Sequence, residues 1–235
     1  MDYQIIRMNG NTWRIEDRGV RFFLLTGTEK ALLIDSGMTV RAKEIAQTLT
    51  DLPVSLLNTH ADLDHIGSNE QFASFYMHPA EEANYRRNGK PGTILPVSEG
   101  DELDLGERKL RIIHLPGHTD GSIAVLDIQN RVLISGDPVQ EHGRIFMFGA
   151  HRNMQSYLAS LEKLKDLDGF DVLWPSHADL PVSRETIGRL LEGAEKVVRG
   201  EIPGIPEEFH GMKIRAYDLG FTVILGDAQD SKRSV

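Results

Sequence analysis

Asn58-Thr59-His60-Ala61-Asp62-Leu63-Asp64-His65-Ile66-Gly67 closes the short apolar run Val54 to Thr59 and continues past it. His60, Asp62, Asp64 and His65 place four imidazole or carboxylate side chains within six residues. The apolar run reads as a buried strand, which fixes where the segment begins. The loop after it can curl several side chains toward one point. Imidazole and carboxylate together suit zinc, iron or manganese. Asp and His are also ordinary loop residues, and the competing reading makes Asp64 the cap of a helix starting near His65.

Three later places repeat the pattern. Pro116-Gly117-His118-Thr119-Asp120-Gly121-Ser122 sets a histidine in a glycine-flanked turn between two β-prone runs. Ser135-Gly136-Asp137 ends an apolar run on an aspartate, and Trp174-Pro175-Ser176-His177 ends one on a histidine. Each group sits just past a strand end, where α/β folds place their sites. Singly, each is an ordinary solvated or hydrogen-bonded residue; in series they point to one metal centre.

Around these motifs the first third reads as a β-meander: Tyr3 to Met8, Thr12 to Glu16, Val20 to Thr26 and Lys30 to Asp35, punctuated by turn signals. Thr39 to Leu52 changes to a helical period, so that a parallel strand pair is expected around it. Ser74 to Met77 reads as a strand and Pro79 to Arg87 as a helix with proline in its first turn. Further strands are expected over 101–105, 109–115, 122–128, 131–135 and 172–174. Helices are expected over 153–167 and 183–199, and a terminal hairpin over 213–217 and 222–225. Two sheets face to face with helices outside account for this α/β order. No stretch reads as a linker, so residues 1–235 are expected to form one domain with a polar tail from about 229.

The charge balance, 26 basic against 35 acidic residues, gives a net charge of −9, which disfavours nucleic acid as the main partner. There is no cysteine, so disulfides and thiolate ligands are excluded and any metal site uses nitrogen and oxygen. No apolar run reaches membrane-spanning length, and the N-terminus lacks the pattern of a signal peptide. A cytoplasmic protein acting on a small molecule, with neither nucleic acid nor membrane as partner, is the expectation.

The ordered motifs resemble the metallo-β-lactamase superfamily, and within it the glyoxalase-II-like hydrolases. That pattern is His-x-His-x-Asp-His, a Gly-His turn, an aspartate and a late histidine, here spread over about residues 20 to 180. The resemblance implies a four-layer αββα sandwich and two divalent metal ions, zinc or iron, with manganese as a further option. It assigns His60, Asp62 and His118 to one subsite and Asp64, His65 and His177 to the other, with Asp137 between them. Asp35, in the strand-turn Leu32 to Gly37, is implied as a support behind a ligand. Asp64 is implied as the catalytic carboxylate that orients water and takes its proton. The implied reaction is attack of metal-activated water on a thioester, lactone, ester or amide carbonyl.

One departure stands out: Asp62 occupies the place of the family's second histidine. A carboxylate is harder and anionic, which favours iron or manganese relative to a three-histidine subsite. The flavodiiron branch also carries a carboxylate there, so a diiron redox protein is an alternative; a non-catalytic metal-binding module is a third. On sequence alone, Asp62→His is expected to raise zinc retention.

The segment after Asp137 suggests a substrate wall from Arg144, Phe146, Phe148 and His151, with Arg144 or Arg152 available to an anion; ordinary packing of a loop is the competing reading. His78, His114, His142 and His210 carry no strong signal, and Tyr85, Arg86, Arg87 and Lys90 form a local basic patch.

Overall fold

The computed structural model describes residues 3–228. Strand β3 (Val20–Thr26) is buried along its whole length, and its alternation explains the layers. Phe22 and Leu24 point one way, into a cluster with Ala42, Ile45 and Ala46 of helix α1 (Ala42–Leu49). Phe23 and Leu25 point the other way, into a cluster with Leu110, Ile112, Ile123, Val125 and Trp174 of the opposite sheet. A strand sandwiched in this way must be apolar on both faces.

The first sheet runs in chain order from β1 (Tyr3–Asn9) and β2 (Thr12–Asp17) through β3, β4 (Ala31–Ile34), β5 (Val54–Leu57) and β6 (Ser74–Met77) to β7 (Thr93–Pro96). It begins antiparallel and turns parallel at β4–β5, across α1. Helix α2 (Glu82–Arg87), preceded by a short 3-10 turn at Pro79–Glu81, sends Tyr85 into the α1 cluster.

The second sheet contains β8 (Glu102–Asp104), β9 (Lys109–His114), β10 (Ile123–Asp127), β11 (Val132–Gly136), β13 (Val172–Pro175) and β14 (Val182–Ser183). Its outer face packs Ile113, Leu115, Ala124, Leu126 and Leu133 against α3 (Met154–Asp166) and α4 (Glu185–Val198). Helix, sheet, sheet, helix is the resulting order, the four-layer α/β sandwich. Among the described residues no helix is long and apolar enough to cross a membrane.

Several expectations change. The segment after Asp137 is not a loop: Arg144–Met147 forms β12, parallel to β17 (Val223–Asp227). The terminal hairpin, β16 (Met212–Asp218) with β17, therefore joins a four-stranded sheet closed by β15 (Ile205–Phe209). β15 was invisible to periodicity because its residues are exposed or only half buried and include a proline and two glutamates. No regular helix starts at His65, where the chain forms turns. The polar tail from about 229 lies outside the described residues.

Candidate metal centre

The proposed ligands leave the sheets at strand ends. His60 to His65 follow β5, His118 follows β9, Asp137 follows β11 and His177 follows β13. All seven side chains meet. His60, Asp62 and His118 form one group, Asp64, His65 and His177 a second, and His60, His65 and Asp137 a third linking them. Within each group the donor atoms lie within 4.8 Å of one another. Asp137 Oδ1 is 3.2 Å from His65 Nε2. Its Oδ2 is 3.5 Å from Nε2 of both His118 and His177, and 4.0 Å from that of His60. Asp62 Oδ2 lies 3.5 Å from Nε2 of His60 and of His118, and Asp64 Oδ2 lies 3.2 Å from His177 Nε2.

Each imidazole is fixed from behind through Nδ1. His60 Nδ1 meets Thr59 Oγ1 at 3.0 Å, His65 Nδ1 meets Asp35 Oδ2 at 2.8 Å, His118 Nδ1 meets the Phe146 carbonyl at 2.9 Å and His177 Nδ1 meets the Gly19 carbonyl at 2.8 Å. Because Thr59 Oγ1 donates to Asp35, it accepts from His60. Nδ1 therefore carries the proton in all four rings, and the Nε2 lone pairs converge. Asp35 also accepts from the Thr59 backbone N–H at 2.7 Å, and holds a left-handed φ of 65° while doing so. A non-glycine residue in that region is strained, and such strain gathers at functional sites.

Two observations test whether divalent cations fit this donor set. The Nε2 atoms of His60 and His118 face each other at 3.3 Å, a repulsive arrangement of lone pairs unless a positive charge lies beside them. Buried His65 Nε2 and Asp137 Oδ1 have no hydrogen-bond partner. Nitrogen and carboxylate donors suit zinc, iron or manganese, so the residues fit the implied pair.

Charges within the cluster support one another. Burial opposes ionisation of Asp62, yet His60, His118 and Arg152 hold its carboxyl well below the usual range. Asp137 is likewise held well below it, against burial, by His177, His65 and His60. Burial disfavours the charged form of His65, but Asp137, Asp64 and Asp35 raise its pKa well above an ordinary imidazole. His177 is raised, against burial, by Asp137 and Asp64. Without metal these imidazoles hold protons to higher pH than a free histidine, and a cation must displace them. Zinc affinity is therefore expected to keep rising with pH above the ordinary titration range of histidine and to fall on acidification. Chelator competition at stepped pH measures this; a flat profile would contradict it.

Supports not anticipated from sequence come from distant elements. Buried Glu81 accepts the Ala61 and Gly121 backbone N–H groups, each at 2.8 Å, and so ties the His60 loop to the His118 turn. Arg21 donates to the carbonyls of Pro175, His177, Ala178 and Asp179, and holds the His177 loop against β3. Its charge inside the apolar run Val20 to Thr26 was the available signal; Glu81 offered none. Gly117, at φ 137°, packs directly on helix α3: a Cβ there would lie 2.4 Å from Tyr157 Cα. Gly117→Ala is expected to destabilise the protein by about 2–3 kcal/mol and to displace His118. Urea unfolding tests it, and a loss within error of zero would count against this packing.

The centre opens into a cavity of about 640 Å³, whose lining includes Asp62, Leu63, Asp64, Asn84, Phe146 and His177. Of the expected substrate wall, Phe146 and Arg144 line this cavity, but the Arg144 guanidinium pairs with Glu207. Phe148 does not: it is buried with Ile214, Ala216 and Leu225 under the third sheet. His151 is also outside the lining, where its Nε2 accepts from Arg87. Arg152 pairs with Asp62. His142, at the cavity rim, pairs with Asp179. His78 and His114 stack on each other away from the cavity lining, their ring centroids 4.0 Å apart. The basic patch is dispersed: Tyr85 is buried, Arg86 donates to the Gly92 carbonyl, and Lys90 reaches the Gly67 carbonyl and Glu70.

A family model described as the metallo-beta-lactamase superfamily matches residues 15–177, and the chain belongs to that superfamily. Among curated relatives, it is 28% identical to the acyl-coenzyme A thioesterase MBLAC2 of Gallus gallus over 184 residues, 62% of this chain and 66% of that protein. It is 35% identical to a hydroxyacylglutathione hydrolase of Gloeobacter violaceus over 127 residues, 53% of this chain and 49% of that protein. The chain thus spans between about half and two thirds of the length of these two relatives. A metallo-beta-lactamase from Pontibacter korlensis shares the fold at 18% identity, with a TM-score of 0.70 over 82% of this chain and 99% of that one.

Proposed function

We propose that the protein is a dinuclear metal-dependent hydrolase of a small acyl thioester. The observation that carries this reading is the convergence of seven donor side chains beside a cavity large enough for a small substrate. The activities for which the two curated relatives are named, one on acyl-coenzyme A and one on hydroxyacylglutathione, favour a thioester over a lactone, ester or amide.

When bound, two divalent cations supply Lewis acidity and bring the pKa of water toward neutrality. The chain's own residues do the rest. His60, Asp62 and His118 would hold one cation, Asp64, His65 and His177 the other, and Asp137 would touch both. Asp64, in the cavity lining, orients the attacking water and accepts its proton at the carboxylate. Leu63 and Phe146 offer apolar contact to an acyl chain, and Asn84 offers amide hydrogen bonds. No serine or cysteine nucleophile is required.

The diiron redox alternative rests on Asp62, and that carboxylate is engaged by Arg152, which lowers its strength as an anionic donor. Hydrolysis is the better-supported reading. Purified protein loaded separately with zinc, iron or manganese is expected to turn over a thioester faster than a lactone or phosphodiester. Absence of turnover on every substrate with every metal would overturn the proposal.

A further inference from the structure

Asp62 is the one place where the chain departs from the ligand pattern of its superfamily, and it is also the ligand that meets an arginine. Arg152 Nη2 donates to Asp62 Oδ2 at 2.5 Å, the same oxygen that faces His60 and His118 Nε2. The two side chains are only 11% and 24% exposed, so solvent screens the pair weakly. Arg152 Nε is buried without a hydrogen-bond partner, which leaves Asp62 as the anion to which this guanidinium is committed.

The arginine is also held in place. The Asn153 N–H donates to the Gly117 carbonyl at 2.8 Å, and the Asn153 side chain caps α3 by accepting from the Ser156 N–H. Residue 152 is thereby anchored to the turn that carries His118. Three carboxylates, Asp62, Asp64 and Asp137, with one guanidinium leave the cluster two negative charges. A cluster with a neutral histidine at 62 and no arginine would carry the same two.

We propose that Asp62 and Arg152 form one charge-neutral unit in place of the missing imidazole, with Arg152 the positioning residue of the first subsite. This rests on the metal-centre reading above. The unit is coupled, so neither half can be exchanged alone. Asp62→His leaves a buried guanidinium facing a neutral ring and repels the first-subsite cation, which reverses the expectation drawn from sequence. Arg152→Met frees an anionic carboxylate and shifts preference toward harder cations.

The test is zinc and manganese binding, by chelator competition and elemental analysis, to the wild type, Asp62→His, Arg152→Met and the double variant, with circular dichroism confirming that each is folded. The weaker zinc equivalent is expected to be bound about tenfold or more less tightly by Asp62→His, as for other disrupted ligand supports. The double variant is expected to return to within about threefold of wild type, less than half a log unit in affinity. Zinc binding by Asp62→His as tight as by the double variant would overturn the pairing. Should Asp62→His fail to fold, Arg152→Met decides: its manganese-to-zinc affinity ratio is expected to rise about tenfold, and an unchanged ratio overturns the unit. A wild type that binds neither zinc nor manganese would overturn the metal centre itself and this inference with it.

Discussion

Asp137→Asn is expected to cost at least one equivalent of bound metal and to lower hydrolysis by about 10³-fold or more, equivalent to about 4 kcal/mol in the barrier. The carboxylate touches both halves of the cluster, with Oδ1 directed at His65 and Oδ2 facing His60, His118 and His177. Asparagine keeps the shape and removes the charge. Its amide either presents a weakly donating oxygen or turns N–H groups toward converging lone pairs. Charge removed from a buried position is felt strongly because little water is present to screen it. Zinc per chain by plasma mass spectrometry, with thioester turnover on the same samples, measures both effects. Wild-type stoichiometry and rate in a folded variant would show that Asp137 does not join the two subsites.

Asp35→Asn is expected to weaken zinc binding by about 10–100-fold without removing any donor atom from the cluster. Asp35 accepts from the Thr59 N–H, the Thr59 hydroxyl and His65 Nδ1. An asparagine amide turns one of these acceptors into a donor that faces another donor. An amide nitrogen in the Oδ2 place removes the partner that keeps the His65 proton on Nδ1; in the Oδ1 place it opposes the Thr59 N–H and displaces the start of the His60 loop. Asparagine tolerates the left-handed backbone at this position nearly as well as aspartate, so the substitution isolates the hydrogen bonding. A stability loss of about 1–3 kcal/mol should accompany it, as for other buried groups left unsatisfied. Nitrogen-detected NMR of the imidazoles in zinc-loaded protein, where the rings are no longer cationic, reads which nitrogen carries the proton. Retention of the Nδ1–H form of His65, with unchanged zinc affinity, would contradict the role.

Much of the centre was legible in sequence because its donors sit immediately after strands, where local pattern is strongest. Val20 to Thr26 and Val54 to Thr59 declare buried strands by composition, and the residue type just beyond each apolar run does the rest. The lengths of α3 and α4 were legible within two residues at each end for the same reason: a repeating apolar face has a local signature. β7 and β15 were not, since short or exposed strands lack that signature. Nor were Glu81, Arg21 and the Arg152 partnership. Glu81 lies 20 residues from Ala61 and 40 from Gly121, and Arg152 lies 90 from Asp62. Polar contacts made across such separations leave no periodic trace; topology brings them together. The same cause moved Phe148 and His151 out of the expected substrate wall, because pairing of β12 with β17 decides which side chains face the cavity.

Anomalous diffraction from zinc-loaded crystals addresses the metal centre most directly. Two peaks are expected, one ringed by His60, Asp62 and His118 and the other by Asp64, His65 and His177, with Asp137 in contact with both. Data collected from well-loaded crystals with no peak among these residues, or with zinc bound elsewhere, would contradict the centre and the chemistry built on it.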